Sequence, residues 1–201
     1  MDLQSVIKAF EAKGYTVSCF KTKEEAADYL DSQIDGRLVG FGDSETLNAL
    51  ELFRRLSTHN EVWDPQNRPE GMTFNQVAKK CLTTDIFFTS VNAMTETGEL
   101  VNIDSTGNRV AGSLFGHDKV YFVAGTNKIV ATVDDAVWRA RNVAAPPNCA
   151  RHGFSTPCAA KGDRCYDCKS PDRICRALTV YYMKMKYADM EIVLIEEPLG
   201  L

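Results

Sequence analysis

Arg37-Leu38-Val39-Gly40-Phe41-Gly42-Asp43-Ser44-Glu45-Thr46 is the stretch that decides the fold. A short apolar strand over 37–41 runs through a glycine-rich turn into a helix that carries Leu47, Leu50, Phe53 and Leu56 at helical spacing. Outward from this strand–turn–helix unit the same alternation repeats. Upstream, Leu3, Val6, Ile7 and Phe10 mark a helix that Gly14 stops. The β-rich run 15–20 follows. Thr22-x-x-Glu25 then reads as a capping box, opening a helix lined by Ala26, Tyr29, Leu30 and Ile34. Downstream, strands are predicted at 61–63, 85–89, 119–124, 178–185 and 191–195, and helices at 77–82 and 134–143. Alternating helices and strands argue an α/β fold, a mostly parallel sheet with helices on both faces. The segment 145–171 is rich in Pro, Gly, Cys and charge, lacks periodicity, and reads as a long loop of the functional or ligand-stabilised kind.

The chain has 201 residues, 44% of them apolar, enough for one sizeable core, and one domain over 1–201 is expected. A net charge of -4 argues against a nucleic-acid partner, which needs a basic face. Apolar runs such as 120–124 are far shorter than the roughly 20 residues a membrane span needs. Residues 1–5 lack the pattern of a signal peptide, and the expected location is cytoplasmic. Five of the seven cysteines crowd into 149–175, which in a reducing compartment points to metal or redox chemistry rather than a disulfide framework.

The glycine-rich turn suits a small anionic substrate. Gly40 and Gly42 allow close backbone approach, the following helix start offers N–H groups, and Ser44 and Thr46 add hydroxyls. The same residues also suit a plain tight turn with Ser44 as N-cap, and Asp43 opposes a phosphate unless a cation intervenes. The polar block 89–102 follows a strand, and open α/β sheets bind ligands at strand carboxyl ends. It supplies Asn92 and Glu96, the latter a base or nucleophile; Asp104 is a second carboxylate for proton transfer or metal binding. Asn108, Arg109, Asn127 and Lys128 complete a rim in which Arg109 and Lys128 hold the anion. Ordinary turn chemistry explains any one such cluster. Trp63 and Trp138 read as core, and His117 as a surface residue.

These strings resemble a known family. Thr89-Ser90-Val91-Asn92-Ala93-Met94-Thr95-Glu96-Thr97-Gly98-Glu99-Leu100-Val101-Asn102-Ile103-Asp104 is similar to the signature of LUD (lactate utilisation) domain proteins. So are 107–110, 125–130 and 141–146, and 165–175 is similar to the C-terminal signature of one branch. The resemblance implies a fold like that of ribose-5-phosphate isomerase and the CoA transferases. It implies an anion-binding role for Gly40, Gly42, Ser44 and Thr46, and Glu96 as the nearest match to the CoA-transferase nucleophile. It also implies a place in lactate oxidation to pyruvate, with other lactate-utilisation subunits as partners. The alternatives are a non-redox isomerase or acyl-transferase-like enzyme, and a module that senses a small carboxylate.

Cys158, Cys165, Cys168 and Cys175 suit four-thiolate metal binding, within a metal-binding loop over 145–176. Spacing leaves a 4Fe-4S iron–sulfur cluster and a structural zinc both open, beside free thiols or a disulfide of Cys165 and Cys168. The resemblance favours the cluster.

Overall fold

The computed structural model describes residues 2–201. In chain order the elements are α1 (Leu3–Ala12), β1 (Thr16–Phe20), α2 (Lys23–Gln33), β2 (Leu38–Phe41), α3 (Glu45–Ala49), α4 (Leu52–Leu56), β3 (Glu61–Trp63) and α5 (Phe74–Cys81). Then come β4 (Ile86–Thr89), β5 (Ala93–Thr95), β6 (Leu100–Asp104), α6 (Asn108–Leu114), β7 (Lys119–Gly125), β8 (Ile129–Val130) and α7 (Val133–Arg139). After a wider π turn come α8 (Ala145–Arg151), α9 (Pro157–Lys161), β9 (Ala177–Tyr181) and β10 (Asp189–Ile195).

Six strands form a wholly parallel sheet in the order β1-β10-β7-β4-β2-β3. Its central strands are apolar on both sides, as a sheet covered on both faces requires. Side chains alternate between faces. Phe88, Tyr121, Val123, Val193 and Ile195 thus pack under α2, α3 and α4. Phe87, Phe122, Ile192 and Leu194 pack on the opposite face with α1 and α5. The aromatic rings of Phe41, Phe88 and Tyr121 stack through the first layer, at centroid spacings of 5.4 and 4.7 Å. Among the described residues no helix is long and apolar enough to cross a membrane.

Three features differ from the sequence reading. The polar block after β4 folds back as β5 and β6, which join β8 and β9 in a second, mixed sheet of order β8-β5-β6-β9. These strands are short, and their apolar residues serve two partners: Met94 and Leu100 face the main core, while Ala93, Val101 and Ile103 face α7. The stretch 145–171 is not one loop, for it holds α8 and α9. Pro146 and Pro147, or Pro157, stand in the first turn of each, where a missing N–H costs nothing. Trp138 is 61% exposed and His117 is buried, the reverse of the expectation. The His117 ring stacks on Phe87 and lies 2.6 Å from Thr84 O, and burial lowers its basicity.

Candidate functional site

The carboxyl ends of β2, β4 and β7 open into a cleft of about 320 Å³, whose walls include Ser44, Thr46, Ser90, Asn108, Arg109 and Lys128. This is where parallel strands of an α/β sheet place ligands. Lys128 ends the tight turn after β7, and its side chain runs inward until the residue is only 3% exposed. Its Nζ donates to Thr46 Oγ1 at 3.1 Å, Ser90 Oγ at 3.0 Å and Val91 O at 3.1 Å. All three acceptors are neutral, so none repays the burial of a charge. Desolvation, followed by the nearby guanidiniums of Arg139 and Arg109, pushes Lys128 down to about 7. Thr46 Oγ1 also accepts from Ser90 Oγ at 3.3 Å, which joins α3 to the end of β4.

The residues expected from sequence divide into two groups. Ser44, Thr46, Asn92, Asp104, Asn108, Arg109 and Lys128 all line the cleft. Glu96, Asn127, Gly40 and Gly42 do not. Glu96 is exposed in the turn between β5 and β6, beside Gly98, which packs against Ala9 of α1. Asn127 Oδ1 accepts from Leu199 N at 3.1 Å and anchors the C-terminal segment. A Cβ on Gly40 would stand 2.7 Å from Cys81 O, so that glycine lets α5 close on β2 rather than a ligand approach. Ser44 caps α3 by accepting from Leu47 N at 3.4 Å. Asp104 spends its carboxylate on backbone, accepting from Ser105 N at 2.7 Å and from Val110 N at 3.0 Å, and so positions α6. Asn92 Oδ1 accepts from Ile103 N at 2.7 Å and pins the second sheet to the cleft floor.

What remains for a ligand is a set of donors. Arg109 gives one N–H to Ile103 O, and no Asp or Glu pairs with it among the described residues. Asn108 Nδ2 is buried without a hydrogen-bond partner. Arg139, from α7, is not one of the cleft's walls: it is buried and donates to the main-chain oxygens of Asn92 and Leu201. Sequence reading passed over Arg139 and Ser90, and the whole outer wall made by α8, Phe154 and Ile174. Arg151 of that wall forms an ion pair with Glu45 of α3. Arg139 stands three positions after Ala136 and next to Ala140, on the small-residue face of its helix, and that spacing was the signal available for it.

A family model described as the LUD domain matches residues 3–195. The chain belongs to the LUD domain family. A crystal structure of a DUF162 family protein from Deinococcus radiodurans is similar to this LUD domain in fold. The likeness has a TM-score of 0.54 at 14% identity, over 97% of this chain and 99% of that one. No curated protein matches the chain at a significant level.

The cysteines of this LUD domain fall into separate places. Cys149 and Cys158 are buried with Ala145 and Ile174 in a small apolar cluster under the cleft wall. Burial pushes the Cys149 thiol up, and the Thr156 hydroxyl lies 3.3 Å from Cys158 Sγ. Cys165, Cys168 and Cys175 lie on the outer loop. Arg141 Nη2 donates to Cys165 Sγ at 3.5 Å, Arg173 Nη2 donates to Cys175 Sγ at 3.4 Å, and both arginines also bind Asp167. Among the described residues no three His, Cys, Asp or Glu side chains converge on a metal position. The expected set of Cys158, Cys165, Cys168 and Cys175 is thus divided between a buried cluster and a surface loop. A metal held by four thiolates needs each sulfur at about 2.3 Å from one centre. Here the four sulfurs are not gathered on one centre, and no step is routed through an iron–sulfur cluster or zinc.

Proposed function

We propose that this LUD domain serves 2-hydroxy acid (lactate) utilisation by binding a small carboxylate in the Lys128 cleft. The observation that carries this reading is a pair of cations, Lys128 and Arg109, that line one cleft and have no Asp or Glu partner among the described residues. An unpaired guanidinium beside a lysine that an anion would help to charge favours an anionic ligand in this partly desolvated site. Asp43 and Asp104 line the same cleft, which disfavours a doubly charged phosphate and leaves a singly charged carboxylate as the better match. The volume of about 320 Å³ stands at the small end of ligand pockets and suits a compact acid. In this reading Arg109 and the buried Nδ2 of Asn108 receive the carboxylate, and Lys128 faces the 2-position. An amine poised near neutrality there takes up or releases the substrate's proton.

Calorimetric titration with lactate, pyruvate and inorganic phosphate tests the reading. Both organic acids are expected to bind more tightly than phosphate. Arg109→Gln is expected to weaken them roughly tenfold, about 1.4 kcal/mol. Glu96→Gln, on the far turn, is expected to leave binding unchanged. Lack of binding by either acid would overturn the proposal.

A further inference from the structure

We propose that Lys128 captures a 2-oxo acid covalently, forming an imine between its Nζ and the ligand's carbonyl carbon. This rests on the anion-cleft reading and names the substrate class within it. The cleft already holds guanidiniums suited to a purely electrostatic task, since arginine stays charged at all relevant pH. Lys128 is placed differently. Its Nζ is held by Thr46 Oγ1, Ser90 Oγ and Val91 O, the charged form donating to all three and the neutral amine to two of them with its lone pair left over, and no carboxylate holds its proton. The charged groups facing it are Arg139 from α7 and Arg109 from α6, both of which oppose a second positive charge. Asp43 and Asp104 line the cleft, with Asp104 engaged by backbone N–H groups and Asp43 by Gln66. The segment around Gly200 closes over the amine: a Cβ on Gly200 would stand 3.1 Å from Nζ. A desolvated lysine among other cations is the arrangement that makes an amine nucleophilic near neutral pH. Its electrophile is a carbonyl. Donors for a carboxylate on Arg109 and Asn108 line the same cleft, so the ligand carries both a carbonyl and a carboxylate, and the small volume favours the compact case, a 2-oxo acid.

The step balances without an oxidant or reductant. The Nζ lone pair attacks the carbonyl carbon and the C–N bond forms, giving a carbinolamine. The former carbonyl oxygen then leaves as water, carrying the two protons that the neutral amine brought, and the C=N bond replaces C=O. The hydroxyls of Ser90 and Thr46, each bonded to Nζ, stand where those protons pass.

The test is borohydride reduction of the full chain in the presence of pyruvate, with lactate as the parallel ligand, read by peptide mass spectrometry. Pyruvate is expected to give about one reduced adduct per chain, on the peptide that holds Lys128. Lactate, which has no carbonyl, is expected to give none. Trapping is expected to rise as pH passes upward through about 7, the opposite of a merely electrostatic anchor. Lys128→Arg is expected to lose the adduct at least about tenfold. Lys13→Arg, changed at an ion pair with Glu99 outside the cleft, is expected to keep it. Pyruvate that binds without an adduct, or an adduct that persists in Lys128→Arg, overturns the imine while leaving the anion cleft standing. Failure of both acids to bind overturns both.

Discussion

Lys128→Met is expected to weaken lactate binding about 100-fold, equivalent to about 2.7 kcal/mol, while stabilising the fold at slightly acid pH. The loss follows from removing the amine that faces the ligand's 2-position at the floor of the cleft, which leaves a buried polar group of the ligand without its partner. The gain follows from linkage. An unfolded lysine titrates near 10.5, whereas burial holds Lys128 at about 7 in the native chain. Between those values the unfolded state binds a proton that the native state does not, so native stability rises with pH across the window. Below about 7 the native lysine is charged as well, and the full cost of burying it is present. Methionine has a similar length and no charge, and leaves chiefly Val91 O without its donor, at about 1 kcal/mol. Urea unfolding at pH 6 and pH 9 checks this. The variant is expected to be the more stable at pH 6 and to lose that advantage as pH rises. A variant less stable than wild type at pH 6 would show that the lysine charge is compensated in the native state.

Gly125→Ala carries the second large effect, through backbone rather than charge. Gly125 ends β7 directly before the turn that delivers Lys128. An added Cβ would collide with Glu197 O, and would stand 2.5 Å from Asn127 Oδ1 and 2.7 Å from Leu199 N. Two of these three atoms are backbone, so no rotamer change relieves the contact. Overpacking of this kind costs roughly 1–3 kcal/mol. The displaced part is the segment 197–201, which Asn127 anchors at Leu199 N and which packs against Thr46 and Lys128 at Gly200. Loss of stability is therefore expected together with about tenfold weaker lactate binding. Thermal unfolding alongside calorimetry decides it. Wild-type affinity in a destabilised variant would show that the terminal segment does not shape the cleft.

The cysteine segment shows how sequence and structure divide the work. Spacing alone brings Cys165 and Cys168 within one turn, but Cys158 lies on α9, and α9 packs with α8 into an apolar cluster of its own. The order of residues along the chain carried no record of that packing. The prolines at 146, 147 and 157 looked like loop residues for the same reason, because proline marks a helix start as readily as a break.

Sequence by itself determined the parallel sheet, since apolar runs such as 120–124 have nowhere to go but a core closed on both faces. It also determined the strand-to-helix turn at 42–44 and the family strings that enclose Asn92, Asp104, Arg109 and Lys128. Only the tertiary structure decided which of those polar residues share a cleft. Glu96 and Asp104 stand eight positions apart in one block, yet the β5–β6 turn carries Glu96 out to solvent while β6 returns Asp104 to the cleft. The charge state of Lys128 was likewise decided late, because desolvation and the fields of Arg109 and Arg139 exist only once β7, α6 and α7 have packed together.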